Sequence, residues 1–254
     1  MIGEKCTFSH FSFATSLNPF FSKGCAYIRD KDELYVTSEL LPSTTSSTLP
    51  AILISKVSIY HRAEVILADW TKLRPPPNMP MPSGAIHYKN GILYCSQGTL
   101  EPSSGGLFYM ARGKRPVPVV TNYFGKPFNS IQSVVEDKEG ALWFTDSCAG
   151  HEQEIRPEPQ LPNHVYWFHP TTGELRVVMD DLKRPSGITL DPGETTLYVT
   201  DTDAARVGNT AAATRYARSP TLCSRTFVIN RVAHLVLRLF THMILSDGQV
   251  PHLS

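Results

Sequence analysis

The sequence predicts an all-β protein assembled from the blades of a β-propeller, and three observations carry that prediction. A short motif recurs four times: Glu33-Leu34-Tyr35-Val36-Thr37-Ser38, Gly91-Ile92-Leu93-Tyr94-Cys95-Ser96, Gly140-Ala141-Leu142-Trp143-Phe144-Thr145-Asp146 and Thr196-Leu197-Tyr198-Val199-Thr200-Asp201. Each copy reads Leu, aromatic, apolar or Cys, then hydroxyl, at intervals of roughly 50–60 residues, a period that signals blades, solenoids or arrays. Each is preceded by a β-rich partner and a turn, and the 20 prolines suit many turns better than helices, the usual share being about 5%.

The partner strands are Phe21–Ile28, Met81–Tyr88, Phe128–Val135 and Arg184–Leu190. Turn residues follow each: Arg29-Asp30-Lys31-Asp32, Lys89-Asn90-Gly91, Glu136-Asp137-Lys138-Glu139-Gly140 and Asp191-Pro192-Gly193-Glu194. Turn chemistry between two β-rich runs reads as a hairpin. Outer hairpins follow at Ala51–Tyr60 with Ala63–Ala68, Gly106–Met110 with Pro116–Val120, and His164–Phe168 with Glu174–Met179. Four antiparallel strands per unit make a propeller blade, with a β-sandwich as the lesser alternative. Leu40–Pro50 and Ser147–Pro162 read as long loops.

The division along the chain is residues 1–16 as a leader, 17–206 as an incomplete propeller of about four blades, and 207–254 as a divergent basic tail. From Ala204 to Ser246 there is no acidic residue, and from Ala204 to the end there are six Arg and no Lys. Over Thr226–Leu245, Asn230, Arg231, His234, Arg238 and His242 fall three or four apart, which predicts an amphipathic helix. A membrane-surface helix and a segment without selected structure are the alternatives. A ring short of blades leaves an exposed strand edge, so self-association is expected.

A net charge of +1 gives no case for nucleic acid. Five Cys without C-x-x-C spacing read as free thiols. No N-terminal stretch forms a signal-peptide h-region and no segment is apolar enough to span a bilayer, so a soluble cytoplasmic protein is expected. Nucleophile elbows, H-E-x-x-H, P-loop and dinucleotide motifs are missing. His151-Glu152-Gln153-Glu154 reads as solvated loop. Asp146 and Asp201, each closing its strand, either bond backbone amides of the next turn or, with Asn129, line a pocket.

Several stretches together resemble the fungal lactonohydrolase branch of the gluconolactonase/regucalcin-like (senescence marker protein) family. They are Asn78-Met79-Pro80-Met81-Pro82, Phe128-Asn129-Ser130, Gly140–Asp146, Arg156–Tyr166 and Arg184-Pro185-Ser186-Gly187-Ile188. The resemblance covers roughly Leu17 to Arg206. It implies a six-bladed propeller, a calcium or other divalent cation in the central channel, and hydrolysis of lactones. Such an ion polarises the lactone carbonyl and generates a hydroxide-like nucleophile. Matched one by one, the family's metal-site positions fall on Lys23 in place of Glu, Gln132 and Ser133 in place of an Asn-Asp pair, and Ser186 in place of Asn. The remaining Asp position lies beyond Val207, where Asp247-Gly248 is too poor a match. Calcium takes six to eight oxygen ligands, carboxylates among them. An ammonium beside a divalent ion, at about 4 Å and an effective dielectric of about 20, adds roughly 8 kcal/mol of repulsion.

Three readings stand. One is a calcium-dependent lactone hydrolase, as the resemblance implies. Another is a catalytically inactive propeller serving as a binding or scaffold protein. The third, compatible with the second, is a truncated or aberrant product of a lactonohydrolase gene. The substituted positions favour inactivity.

Overall fold

A computed structural model describes residues 23–42, 50–62, 65–202, 223–230 and 238–243. It divides into two units, Met1–Thr121 and Asn122–Ser254. In the first unit, β1 (Lys23–Ile28), β2 (Glu33–Thr37), β3 (Ile54–Arg62) and β4 (Val65–Leu73) form one antiparallel sheet in sequence order. A second sheet contains β5 (Pro82–Tyr88), β6 (Gly91–Ser96), β7 (Gly106–Ala111) and β8 (Val117–Val120). The second unit opens with a small hairpin, β9 (Asn122–Tyr123) and β10 (Lys126–Pro127).

Two further sheets follow in that unit. The first contains β11 (Ile131–Glu136), β12 (Leu142–Asp146), β13 (His164–His169) and β14 (Glu174–Met179). The second contains β15 (Pro185–Leu190), β16 (Thr196–Thr202), β17 (Cys223–Asn230) and β18 (Arg238–Met243). Each of the four sheets is a four-stranded antiparallel meander, which is the blade of a propeller. A short helix, α1 (Ala149–Glu152), sits within the expected loop of residues 147–162. Among the described residues no helix is long and apolar enough to cross a membrane.

Acidic turns set the inner hairpins of the second unit. The Asp137 carboxylate accepts the backbone N–H groups of Glu139 at 3.0 Å and Ala141 at 2.9 Å, and the Trp143 indole N–H at 2.8 Å. Asp191 accepts the amides of Gly193 at 3.2 Å and Thr196 at 2.5 Å. A carboxylate that bonds the backbone of its own turn holds the reversal without help from a partner sheet.

Every first strand carries a register irregularity at the same place, between Lys23 and Cys25, Pro82 and Ala85, Ile131 and Ser133, and Pro185 and Ile188. Beyond it the pairs Cys25–Val36, Ala85–Tyr94, Val134–Phe144 and Ile188–Val199 are equivalent. Counting back from these pairs makes Lys23, Ser83, Gln132 and Ser186 equivalent bulge positions. Gly24 is required in the first bulge. Its φ is +56°, and a Cβ there would lie 2.7 Å from the Ser83 carbonyl oxygen, in a backbone region that disfavours side chains.

Two sequence expectations change. In the second repeat the match slips by one residue, since Ile92-Leu93-Tyr94-Cys95-Ser96 is the segment equivalent to Leu142–Asp146. A slip of one reverses the faces, so Tyr94 packs in the first unit's core beside Tyr35, Ala26, Ile92 and Phe108. The helix expected over Thr226–Leu245 is replaced, in the described residues, by β17 and β18. β17 pairs with β16 from Thr196–Asn230 to Thr202–Ser224, and with β18 from Cys223–Met243 to Val228–Arg238. The polar spacing is helical, but β16 presents an edge of unpaired backbone groups, and Val, Ile, Phe and Thr suit the strand that satisfies them.

Side-chain contacts between sheets follow one scheme in both units. The Thr37 hydroxyl donates to the Ser83 carbonyl at 2.6 Å, and the Thr145 hydroxyl donates to the Ser186 carbonyl at 2.7 Å. Thr145 also accepts the Ser133 amide at 3.2 Å. Beneath this bridge lies a core of Ala141, Trp143, Val165, Trp167, Leu197 and Val199. In the first unit, buried Glu33 adds a second tie: it accepts from Tyr35 at 3.1 Å, Lys56 at 3.1 Å and Arg112 at 3.3 Å. Burial works to raise its pKa, but the bonds from Lys56 and Tyr35 prevail and hold it below the usual range.

Thr145→Val keeps the shape and removes the hydroxyl, leaving the Ser186 carbonyl and Ser133 amide without that partner. The expected cost is about 1–3 kcal/mol, read as a lower denaturation midpoint at unchanged slope, whereas Thr145→Ser retains most of the stability.

Candidate functional site

In the second unit the candidate residues gather around the turn that leads into β11. Phe128 is buried edge-on against Phe144 and Tyr166, with ring centroids 5.3 and 5.2 Å away, and those two rings stack at 5.3 Å. Tyr123 of the small hairpin lies 5.2 Å from Tyr166. This aromatic floor places the 128–130 backbone, and two opposite charges then grip it. Arg156 donates from Nε to the Asn129 carbonyl at 2.8 Å and from Nη2 to the Phe128 carbonyl at 2.7 Å. Asp146 accepts the Asn129 amide at 2.9 Å and the Ser130 amide at 2.6 Å.

Both charged groups are buried, Asp146 fully and Arg156 to within 3%. Burial pushes the Asp146 carboxyl up to about 7, against the two amides and the Arg156 charge, which pull it down. Gly150 of α1 makes room for the guanidinium stem, since a Cβ there would lie 2.4 Å from Arg156 Cγ.

Asn129 is spent on the adjoining loop. Its Nδ2 donates to the Leu161 carbonyl at 2.8 Å and its Oδ1 accepts the Leu161 amide at 3.4 Å. Asp201 repeats the Asp146 arrangement one sheet later, accepting the amides of Lys183 at 3.0 Å and Arg184 at 2.6 Å. The sequence expected such carboxylates to bond the turn that follows. Both instead reach back to the turn before their sheet's first strand, because the antiparallel pairing sets the end of the second strand beside the start of the first. Asn129, Asp146 and Asp201 therefore act on backbone; their polar atoms hold turns.

Gln132 is buried on the β11 bulge, with its Nε2 donating to the Ser130 carbonyl at 3.1 Å and hydroxyl at 2.7 Å. Ser133 follows it, its amide on Thr145, and Ser186 lies on the β15 bulge with its carbonyl on the same Thr145 hydroxyl. The structure thus brings Gln132, Ser133 and Ser186 to two adjoining bulges linked through one oxygen. Lys23 holds the equivalent position in the first unit. Bulges re-aim side chains and occur beside active sites.

The residues there do not fit a calcium ion. In the second unit Gln132, Ser133 and Ser186 offer neutral oxygens, where calcium takes carboxylates among six to eight oxygens; in the first unit the equivalent position bears the Lys23 ammonium. Asp146 and Asp201 are committed to amides. Among the described residues no group of three or more His, Cys, Asp or Glu side chains is placed to hold a metal. His151 and Glu152 lie on α1, where Glu152 pairs with Arg184 at 3.2 Å. Arg156 and Thr145 are the residues that the sequence reading did not single out. Thr145 recurs in the repeat, and that recurrence was its available signal.

Four-stranded meander sheets with first-strand bulges are the blades of a β-propeller-type protein. The chain belongs to the SMP-30/Gluconolactonase/LRE-like family, whose model matches residues 59–227. It is 34% identical over 142 residues to the lactonohydrolase oryL of Aspergillus oryzae, covering 52% of this chain and 32% of that protein. It is 40% identical over 91 residues to a gluconolactonase of Zymomonas mobilis, covering 34% of this chain and 25% of that one. A solved gluconolactonase from Xanthomonas campestris superposes with a TM-score of 0.57 at 19% identity, covering 87% of this chain and 63% of that chain. The chain therefore spans about a third or less of these two curated relatives.

Asp146 yields a pH test. Between the ordinary aspartate value of about 4 and about 7, the folded state holds a proton that the unfolded chain has released. Folded protein then binds more protons, so this group's contribution to stability falls as pH rises through that window. Asp146→Asn is expected to flatten that slope in denaturation series, at a cost of about 1–3 kcal/mol from the altered amide grip. An unchanged slope would remove Asp146 as its source.

Proposed function

We propose that this chain is a non-hydrolytic lactonohydrolase-family protein, a propeller-type binding module that does not open lactones with a bound calcium ion. One observation carries the reading: the equivalent bulge positions hold Lys23, Gln132 and Ser186, with Ser133 beside Gln132, and none is a carboxylate. The two nearby carboxylates that a cation could recruit, Asp146 and Asp201, each accept two backbone amides. Drawing either to a metal would release buried amides, at roughly 1–3 kcal/mol for each group left unsatisfied.

Loss of hydrolysis leaves the bulge region with a different chemistry. The Gln132 amide and the Ser133 and Ser186 hydroxyls are neutral hydrogen-bonding groups, suited to polyhydroxylated or lactone-like small molecules rather than to a charged intermediate. The relatives' names supply the class of ligand to try first, sugar-derived lactones.

Calorimetric titration of the intact chain with calcium should show no binding tighter than about 1 mM, the weak limit of extracellular calcium modules. Hydrolysis of five- and six-membered lactones should stay at the buffer rate with calcium, magnesium, manganese or zinc present. Micromolar calcium binding accompanied by turnover would overturn the reading. Circular dichroism of the same samples confirms that a silent result comes from folded protein.

A further inference from the structure

The turn before β11 is held by a carboxyl that uses both of its oxygens as acceptors. Asp146 Oδ2 takes the Asn129 amide at 2.9 Å and Oδ1 takes the Ser130 amide at 2.6 Å. An ionised carboxylate can do this, whereas a protonated carboxyl turns one oxygen into a donor. A proton on Asp146 therefore sets an O–H against an amide N–H, and one of the two amides must give way. The side chain is fully buried. Burial works against the ionised form and lifts the carboxyl to about 7, so both forms are populated near neutrality.

The groups around the carboxyl come from three elements. From the loop after β12, Arg156 brings a positive charge that favours the ionised form, while its Nε and Nη2 hold the Asn129 and Phe128 carbonyls. From β13, the Tyr166 phenol senses the Asp146 charge and has its oxygen 3.3 Å from His164 Nδ1. Tyr123 of β9 packs behind Tyr166. His164 is half-buried and feels Asp180, and burial holds its imidazole below the ordinary value. On the far side of the turn, Ser130 is the acceptor for Gln132. Its carbonyl takes Gln132 Nε2 at 3.1 Å and its hydroxyl takes the same nitrogen at 2.7 Å. One residue thus joins the Asp146 carboxyl, through its amide, to the side chain on the β11 bulge.

We infer that Asp146 is a proton-operated latch on the Gln132 bulge. Ionised, it holds both amides of the turn, and Ser130 keeps the Gln132 amide in place. Protonated, it lets one amide go, the turn shifts, and the Ser130–Gln132 contact loosens. Asp146 is then a positioning residue that acts on Gln132 through Ser130, touching no ligand itself. The latch is a property of the chain alone, and it stands or falls independently of whether the bulge binds a lactone-like molecule.

Nuclear magnetic resonance of the full chain across a pH range of about 5 to 9 reads the latch directly. The Asp146 carboxyl carbon is expected to titrate with a midpoint near 7. The Ser130 backbone amide and the Gln132 side-chain amide should shift with that same midpoint. Asp146→Asn offers one oxygen acceptor and one N–H donor, as the protonated carboxyl does, so it should hold both reporters at their acid positions at every pH. His164→Gln should leave the transition in place, which separates Asp146 from the neighbouring imidazole. A wild-type Asp146 carbon that does not titrate in this range overturns the proposal, and that measurement needs no variant to fold. A Gln132 amide that stays constant while Asp146 titrates overturns it too. So does a transition that survives Asp146→Asn or disappears in His164→Gln.

Discussion

A single hydroxyl oxygen organises the meeting of two sheets. Thr145 accepts an amide from the bulge of its own sheet and donates its proton to the bulge carbonyl of the next. Both backbone groups would otherwise lose that partner where the two sheets meet. Thr37 makes the same donation in the other unit. Because a hydroxyl is both donor and acceptor, it suits a place where one strand offers N–H and the next C=O. Cys95 fills the equivalent position in β6, a buried thiol that meets Gly84 of its own bulge, and a thiol is the weaker participant. The bridge fixes register, since a shift of one residue would turn the hydroxyl away and reverse the apolar face.

The carboxylate at the end of the second strand solves a neighbouring problem. The chain must reverse sharply before entering each first strand, and the amides of that reversal point inward. Asp146 and Asp201 each take two of them. Ser96 answers in the second sheet with a hydroxyl that donates to the Pro80 carbonyl. Around Asp146 the arrangement is doubled, because Arg156 takes the carbonyls of the same turn. A short stretch of backbone is thus fixed from both sides, by the Asp146 carboxyl on its amides and the Arg156 guanidinium on its carbonyls. Neither group is then available for chemistry without loosening the turn that leads into the β11 bulge.

Much of this architecture was legible because it is local. Strand pairs closed by Asp-rich turns can be read from alternation and turn chemistry, and the hairpins at 131–146, 164–179 and 185–202 follow their expected positions. The equivalence of the bulges could be read from the repeats, except at Leu93-Tyr94, where two apolar residues in a row left the face ambiguous by one. The tail misled for the opposite reason. Its polar residues fall at helical spacing, but its structure comes from pairing with β16, a non-local contact that periodicity within a window does not see. Arg156 was illegible in the same way, since its partners lie 27 and 28 residues away.

The same physics separates the atoms that hold the sheets from the side chains borne at the bulges. At the bulge positions the fold uses main-chain atoms. The Ser83 and Ser186 carbonyls receive the hydroxyl bridge, and the Ser133 and Gly187 amides donate to it. A carbonyl is present whatever side chain the residue bears, so these bridges do not depend on which side chain stands at positions 83 and 186. The side chains that hold the sheets together, Thr37, Thr145, Asp146, Asp201 and Arg156, lie on other strands or in loops. Substitution at Ser186 leaves its bridging carbonyl in place, whereas substitution at Thr145 would disturb both sheets and the bulges between them.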